Sequence, residues 1–146
     1  MVAPNPVATL YATDETGWLD RTADLVRDRR LAEVDLDTLA EYLTDMARRD
    51  RREVGSRLAL LLAHLLKWEF QPERHSGSWR ATIEVQRQEM AELLESGTLR
   101  NHAAEVLAKA YENGVRQAAA ETGLDATVFP AECPYSLEQV LEGEPV

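Results

Sequence analysis

A single cysteine, Cys133, stands in the 146 residues, so no internal disulfide can staple this chain. Long apolar runs are missing too. The charge-free stretch Leu58–Leu66 has nine residues, against the ~17–25 that a membrane-spanning helix needs. The opening residues lack a basic stretch followed by an apolar core, which predicts a cytoplasmic protein. Bases are scarce: 16 Lys and Arg against 26 Asp and Glu give a net charge of −10 and a pI near 4.8. That balance disfavours a general nucleic-acid binder, which needs a basic surface, and a partner of anionic lipid, which would repel it.

The usual signatures of chemistry are absent as well. The residues three before His64, His75 and His102 are Leu61, Pro72 and Leu99, so no Glu-x-x-His pair exists for a di-iron bundle. There is no His-x-x-x-His or Cys-x-x-Cys pair for zinc, and no glycine-rich phosphate loop. No catalytic, cofactor-binding or metal-ligating residue is assigned on this basis.

What is present is a core. At 45% apolar and 29% charged, the chain matches one globular domain, residues 1–146, with an ordered core from about 10 to 141. Its periodicity is helical throughout. Asp14 or Thr13 can cap a helix that carries Trp18, Leu19, Leu25 and Val26 and ends near Arg30. Asp35 caps a second, with Leu36, Leu39, Leu43 and Met46 at spacings of three and four. No proline interrupts Asp35 to Gln71, yet a helix that long would span roughly 54 Å at ~1.5 Å per residue. A bend or break near Arg49–Ser56, where Gly55 and Ser56 weaken the pattern, is the expectation.

Leu58–Leu66 is apolar on every side and predicts an enclosed central helix. Gln71-Pro72 stops it, because the residue before proline is forced out of the α region. Ser76 or Ser78 starts the next helix, which runs to Ser96-Gly97. Thr98 caps a long one that Gly123 closes, and its inward residues are small enough to admit a close neighbour. Ser136 and Gln139 form a capping box for a last short helix. The predicted fold is all-α, a bundle of four to five main helices with a short C-terminal one.

Charge is uneven along that bundle. Residues 1–46 hold ten acids and four bases, 47–87 five acids and nine bases, and 88–146 eleven acids and three bases. The bases of the middle third include Arg48, Arg49, Arg51, Arg52 and Arg57. Such a run serves as a solvated face, as partners for acids elsewhere in the chain, or as a phosphate-binding stripe.

Individual candidates weigh against ordinary structural roles. His64 sits inside the apolar run, where a lone imidazole satisfies a carbonyl or carboxylate more readily than it acts as a base. Cys133 lacks the cationic neighbours that make a reactive thiolate. Glu41 and Asp45, four apart on one helix face, are paired carboxylates for catalysis or partners for the arginines. The most informative cluster is Trp68, Arg74, His75, Trp79 and Arg80, all within one helix–turn–helix corner. Either Trp–Arg stacking braces that corner, or the corner is a groove for a partner, since Trp and Arg dominate binding hot spots.

The strings His64-Leu65-Leu66-Lys67-Trp68, Gln71-Pro72-Glu73-Arg74 and Ser78-Trp79-Arg80 are distinctive. So are Leu10-Tyr11 before Trp18-Leu19, and Phe129-Pro130 before Glu132-Cys133-Pro134-Tyr135. In this order, over about Leu10 to Leu141, the chain resembles a bacterial family abundant in cyanobacteria, catalogued as domain of unknown function family 29. The resemblance implies a helical fold and no activity.

The functional expectation is a small acidic module that recognises another protein and carries no cofactor, with homo-oligomerisation open. The alternatives are an enzyme whose site is assembled from scattered residues such as His64, Glu41, Asp45 and Arg74, or a nucleic-acid-associated protein using the arginine run 48–57. An enzyme requires converging ionisable groups in a pocket, whereas a binding module requires exposed apolar surface.

Overall fold

The computed structural model describes residues 6–143, with side chains from residue 10 onward. Six α-helices follow in order: α1 Pro6–Thr13, α2 Glu15–Arg27, α3 Leu36–Phe70, α4 Gly77–Leu93, α5 Gly97–Thr122 and α6 Leu137–Glu142. Among the described residues no strand occurs, and the all-α architecture stands.

Local chemistry sets most of the boundaries. The Asp14 carboxylate accepts from the Gly17 N–H at 3.0 Å and opens α2. Asp35 accepts from both the backbone N–H and the hydroxyl of Thr38 at the start of α3. Ser76, not Ser78, caps α4 through the Trp79 N–H at 3.2 Å. Ser96 caps α5 through Leu99, two residues before the expected Thr98. Gly123 ends α5 with φ at +75°, a left-handed conformation that only glycine adopts without strain. The Ser136–Gln139 capping box forms as expected.

Two differences from expectation carry physical content. Helix α1 is an addition: its eight residues are too few to show a helical period. Helix α3 is continuous for 35 residues, so no break occurs at Arg49–Ser56. One mid-helix glycine costs only ~1 kcal/mol relative to alanine, too little to end a helix that nothing else interrupts.

The described residues divide into two compact units, one reaching Arg48 and the other starting at Arg49. The first has a small core of its own. Trp18, Thr22, Leu25 and Val34 are buried, with Tyr11 edge-on to Trp18 at 4.8 Å and Tyr42 tilted against it at 5.6 Å.

The second unit holds the main core. Leu61, Leu62 and Leu66 are fully inaccessible and Leu65 is 4% exposed, as expected for a helix apolar all round. Around them lie Ile83, Met90 and Leu94 of α4, Ala103, Ala110, Tyr111 and Ala118 of α5, and Phe129, Leu137 and Val140. Small residues on α5 permit the close packing: a Cβ at Gly114 would sit 3.0 Å from the Ala59 carbonyl and 3.1 Å from the Leu62 Cβ. The Tyr111 hydroxyl donates to the Pro130 carbonyl and pins the following loop. Arg87 reaches from α4 to the Gln139 and Val140 carbonyls at the end of α6.

Candidate functional site

The C-terminal end of α3 carries a partly buried polar cluster in the second unit. Lys67 is only 5% exposed, immediately after the charge-free stretch. A buried ammonium needs partners, because its desolvation is otherwise uncompensated. Its Nζ donates to Glu121 Oε2 of α5 at 2.5 Å and lies 3.4 Å from His64 Nε2, one turn back along α3. The Trp79 ring of α4 covers the same ammonium at 5.0 Å, within cation–π range. Gln117 donates to the other Glu121 oxygen at 3.2 Å.

This arrangement fixes the His64 tautomer. Nδ1 is 2.9 Å from the Leu60 carbonyl, a partner to which only an N–H can bond. Nε2 therefore keeps its lone pair and accepts from Lys67. Burial, aided by the Lys67 charge, holds the imidazole below the ordinary histidine value, outweighing the Leu60 bond and Glu121. Glu121 is also held low, chiefly by the Lys67 hydrogen bond.

These shifts fix the sign of an acid effect. The unfolded chain takes up a proton at His64 near pH 6.5, and the folded one only at lower pH. Stability from this group is thus present above about pH 6.5 and lost as pH falls toward the folded value. Glu121 adds a further loss below its ordinary range, near 4.5. Thermal melts between pH 7 and pH 5 should show a falling midpoint, and His64→Gln should flatten that slope. A parallel slope in the variant would remove His64 as its cause.

The predicted corner is assembled differently from the expected Trp–Arg stacking. Trp68 stacks on His75, ring centroids 3.7 Å apart and planes 16° from parallel, while His75 Nε2 bonds the Trp68 carbonyl. Trp79 projects back to the end of the preceding helix, as its position in the first turn dictates. The cation it meets is Lys67, not an arginine. Arg74 and Arg80 are exposed, and among the described residues neither forms an ion pair. Beside the corner, the half-buried Tyr135 hydroxyl donates to the Glu69 carboxylate.

Glu41 and Asp45 belong to the first unit, where Asp45 pairs with Arg48 at 3.5 Å, and His64 and Arg74 belong to the second. Burial raises the Cys133 thiol, whose Sγ donates to the Tyr135 carbonyl at 3.3 Å, so it lacks thiolate character. Among the described residues no three His, Cys, Asp or Glu side chains converge as metal ligands. No described helix is long and apolar enough to cross a membrane.

The arginines of the run meet different neighbours. Arg48 pairs with Asp45 within α3, not with an acid from elsewhere as expected. Arg57 meets Glu53 at 2.9 Å and reaches Glu89 and Gln86 of α4. Arg51 and Arg52 face α5 instead. Sequence reasoning missed the Lys67–Glu121 pair. The one available signal was a lysine at the end of a helix apolar on every side, and Glu121, 54 residues away, carries none.

No curated protein and no solved structure matches the chain. A family model does, over residues 10–144. The match spans nearly the whole sequence, including the signature at His64–Arg80, and the chain belongs to the family described as Domain of unknown function DUF29.

Proposed function

We propose that this protein is a non-catalytic interaction module of the bacterial cytoplasm, recognising another protein through its first unit. One observation carries the reading. Among the described residues six large apolar side chains stay exposed, and four of them belong to the unit ending at Arg48: Val26, Leu31, Leu36 and Leu43. Leu36 is 61% and Leu43 58% exposed, and they lie seven residues apart, two turns along one face of α3. Surface of that kind in a small soluble unit marks a place where a partner helix can dock.

The acids around it define the partner's chemistry. Residues 1–46 hold ten acids against four bases, which favours an amphipathic segment whose apolar face is flanked by Lys and Arg. The half-buried tryptophans of the second unit, engaged by Lys67 and His75, fit a brace better than a docking surface.

Affinity capture with wild type and with Leu36→Asp/Leu43→Asp tests this. The double variant should keep its melting temperature and lose the proteins that wild type retains, with wild-type capture weakening as salt rises. Trp79→Ala should lower the melting temperature and reduce capture only as far as folding falls. Capture unchanged in the double variant would overturn the first unit as the docking surface. Capture abolished by Trp79→Ala at unchanged stability would move it to the corner.

A further inference from the structure

A groove of about 570 Å³ runs between α3 and α5, wholly within the second unit. Its polar walls include Arg51 and Arg52 from α3, and His102, Lys109, Asn113 and Gln117 from α5. No carboxylate lines it, in a chain with 26 acids and 16 bases. Arg51 is half-buried there, and among the described residues neither it nor Arg52 forms an ion pair or side-chain hydrogen bond. Among the described residues Lys109 is the one wall cation in an ion pair, with the exposed Glu112 at 3.4 Å, which lies on the wall of a different groove. Gln117 donates to Glu121. Like charges held side by side without a counter-charge repel each other, so this cluster is poised to accept a bound anion.

The backbone opens the groove to a ligand. Gly55 lies in its wall, and a Cβ added there would meet nothing within 4 Å. We infer that this groove binds a small organic di- or triphosphate. Two guanidinium forks and a lysine match adjacent phosphates, while His102, Asn113 and Gln117 offer donors and acceptors for the remainder of the ligand. The volume falls within the ~300–1,000 Å³ typical of small-molecule sites and exceeds what one phosphate fills. A long polyanion fits less well, because the segments flanking the cationic stretch are strongly acidic.

This site is independent of the partner-docking reading and is tested on the intact chain. Isothermal titration with pyrophosphate, ATP and adenosine, and fluorescence anisotropy with a short DNA duplex, supply the readouts. Two variants probe the groove: Arg51→Gln/Arg52→Gln removes charge, and Gly55→Leu fills the space with charge retained and helix propensity raised. Circular dichroism and thermal melts establish that both fold. The expected result is that pyrophosphate and ATP bind, adenosine does not, and each variant weakens ATP binding roughly tenfold or more.

Lack of binding of pyrophosphate and ATP at millimolar concentration would overturn the inference. So would full retention by Gly55→Leu, because charge alone, without the groove, would then suffice. Duplex DNA binding tighter than ATP, with a steep salt dependence, would overturn it in favour of a nucleic-acid surface.

Discussion

Trp18→Ala is expected to melt the unit that ends at Arg48 while the unit from Arg49 onward stays folded. Trp18 is completely inaccessible, and its ring is flanked by Tyr11 and Tyr42. Truncating a buried tryptophan costs ~3–5 kcal/mol through lost burial and the cavity left behind. Among the described residues the unit has only Thr22, Leu25 and Val34 buried beside it, and a core that small leaves little stability in reserve. Its total stability is thus comparable to the loss. Amide exchange should show protection disappearing over α2 and the first turns of α3, while Leu58–Leu66 keeps its own. Simultaneous loss in both units would mean that Trp18 supports the whole chain.

A conservative replacement sharpens this test. The Trp18 indole N–H has no hydrogen-bond partner among the described residues, so the native side chain already carries the cost of a buried, unsatisfied donor. Trp18→Phe removes that donor and keeps most of the ring. It should cost clearly less than Trp18→Ala and leave the first unit folded.

Leu65→Ala is the second large effect, at ~2–5 kcal/mol in chemical denaturation. Leu65 is 4% exposed within a segment whose other leucines at 61, 62 and 66 are fully buried. Neighbouring helices hold the surrounding space open, so the truncated site cannot collapse easily. Leu43→Ala is the control on the same helix: at 58% exposed, it should shift stability by no more than about 0.5 kcal/mol. A comparable small change at Leu65 would contradict the enclosed central helix.

The residues that made the fold legible act over short range. Asp14, Asp35, Ser76 and the Ser136–Gln139 box satisfy backbone N–H groups three residues away, and Gly123 ends α5 by its own left-handed backbone. Burial of Leu61, Leu62, Leu65 and Leu66 followed from a segment apolar on every side. Even the misplaced cap, Ser96 for Thr98, erred by two residues between neighbours of similar chemistry.

The candidate sites were legible only in part, because their partners are chosen by which helix faces meet. Lys67 with Glu121 and Tyr135 with Glu69 join residues 54 and 66 positions apart. Of five clustered arginines, rotation around α3 sends Arg57 toward Glu53 and α4, and Arg51 and Arg52 into the groove against α5. The sequence by itself determined which segments are helical and which stretch must be enclosed, since backbone capping and hydrophobic periodicity are local properties. Only the tertiary structure decided which charges are paired, which are buried and which face an open groove. That outcome depends on the side chains a neighbouring helix brings opposite, and helix periodicity alone does not specify them.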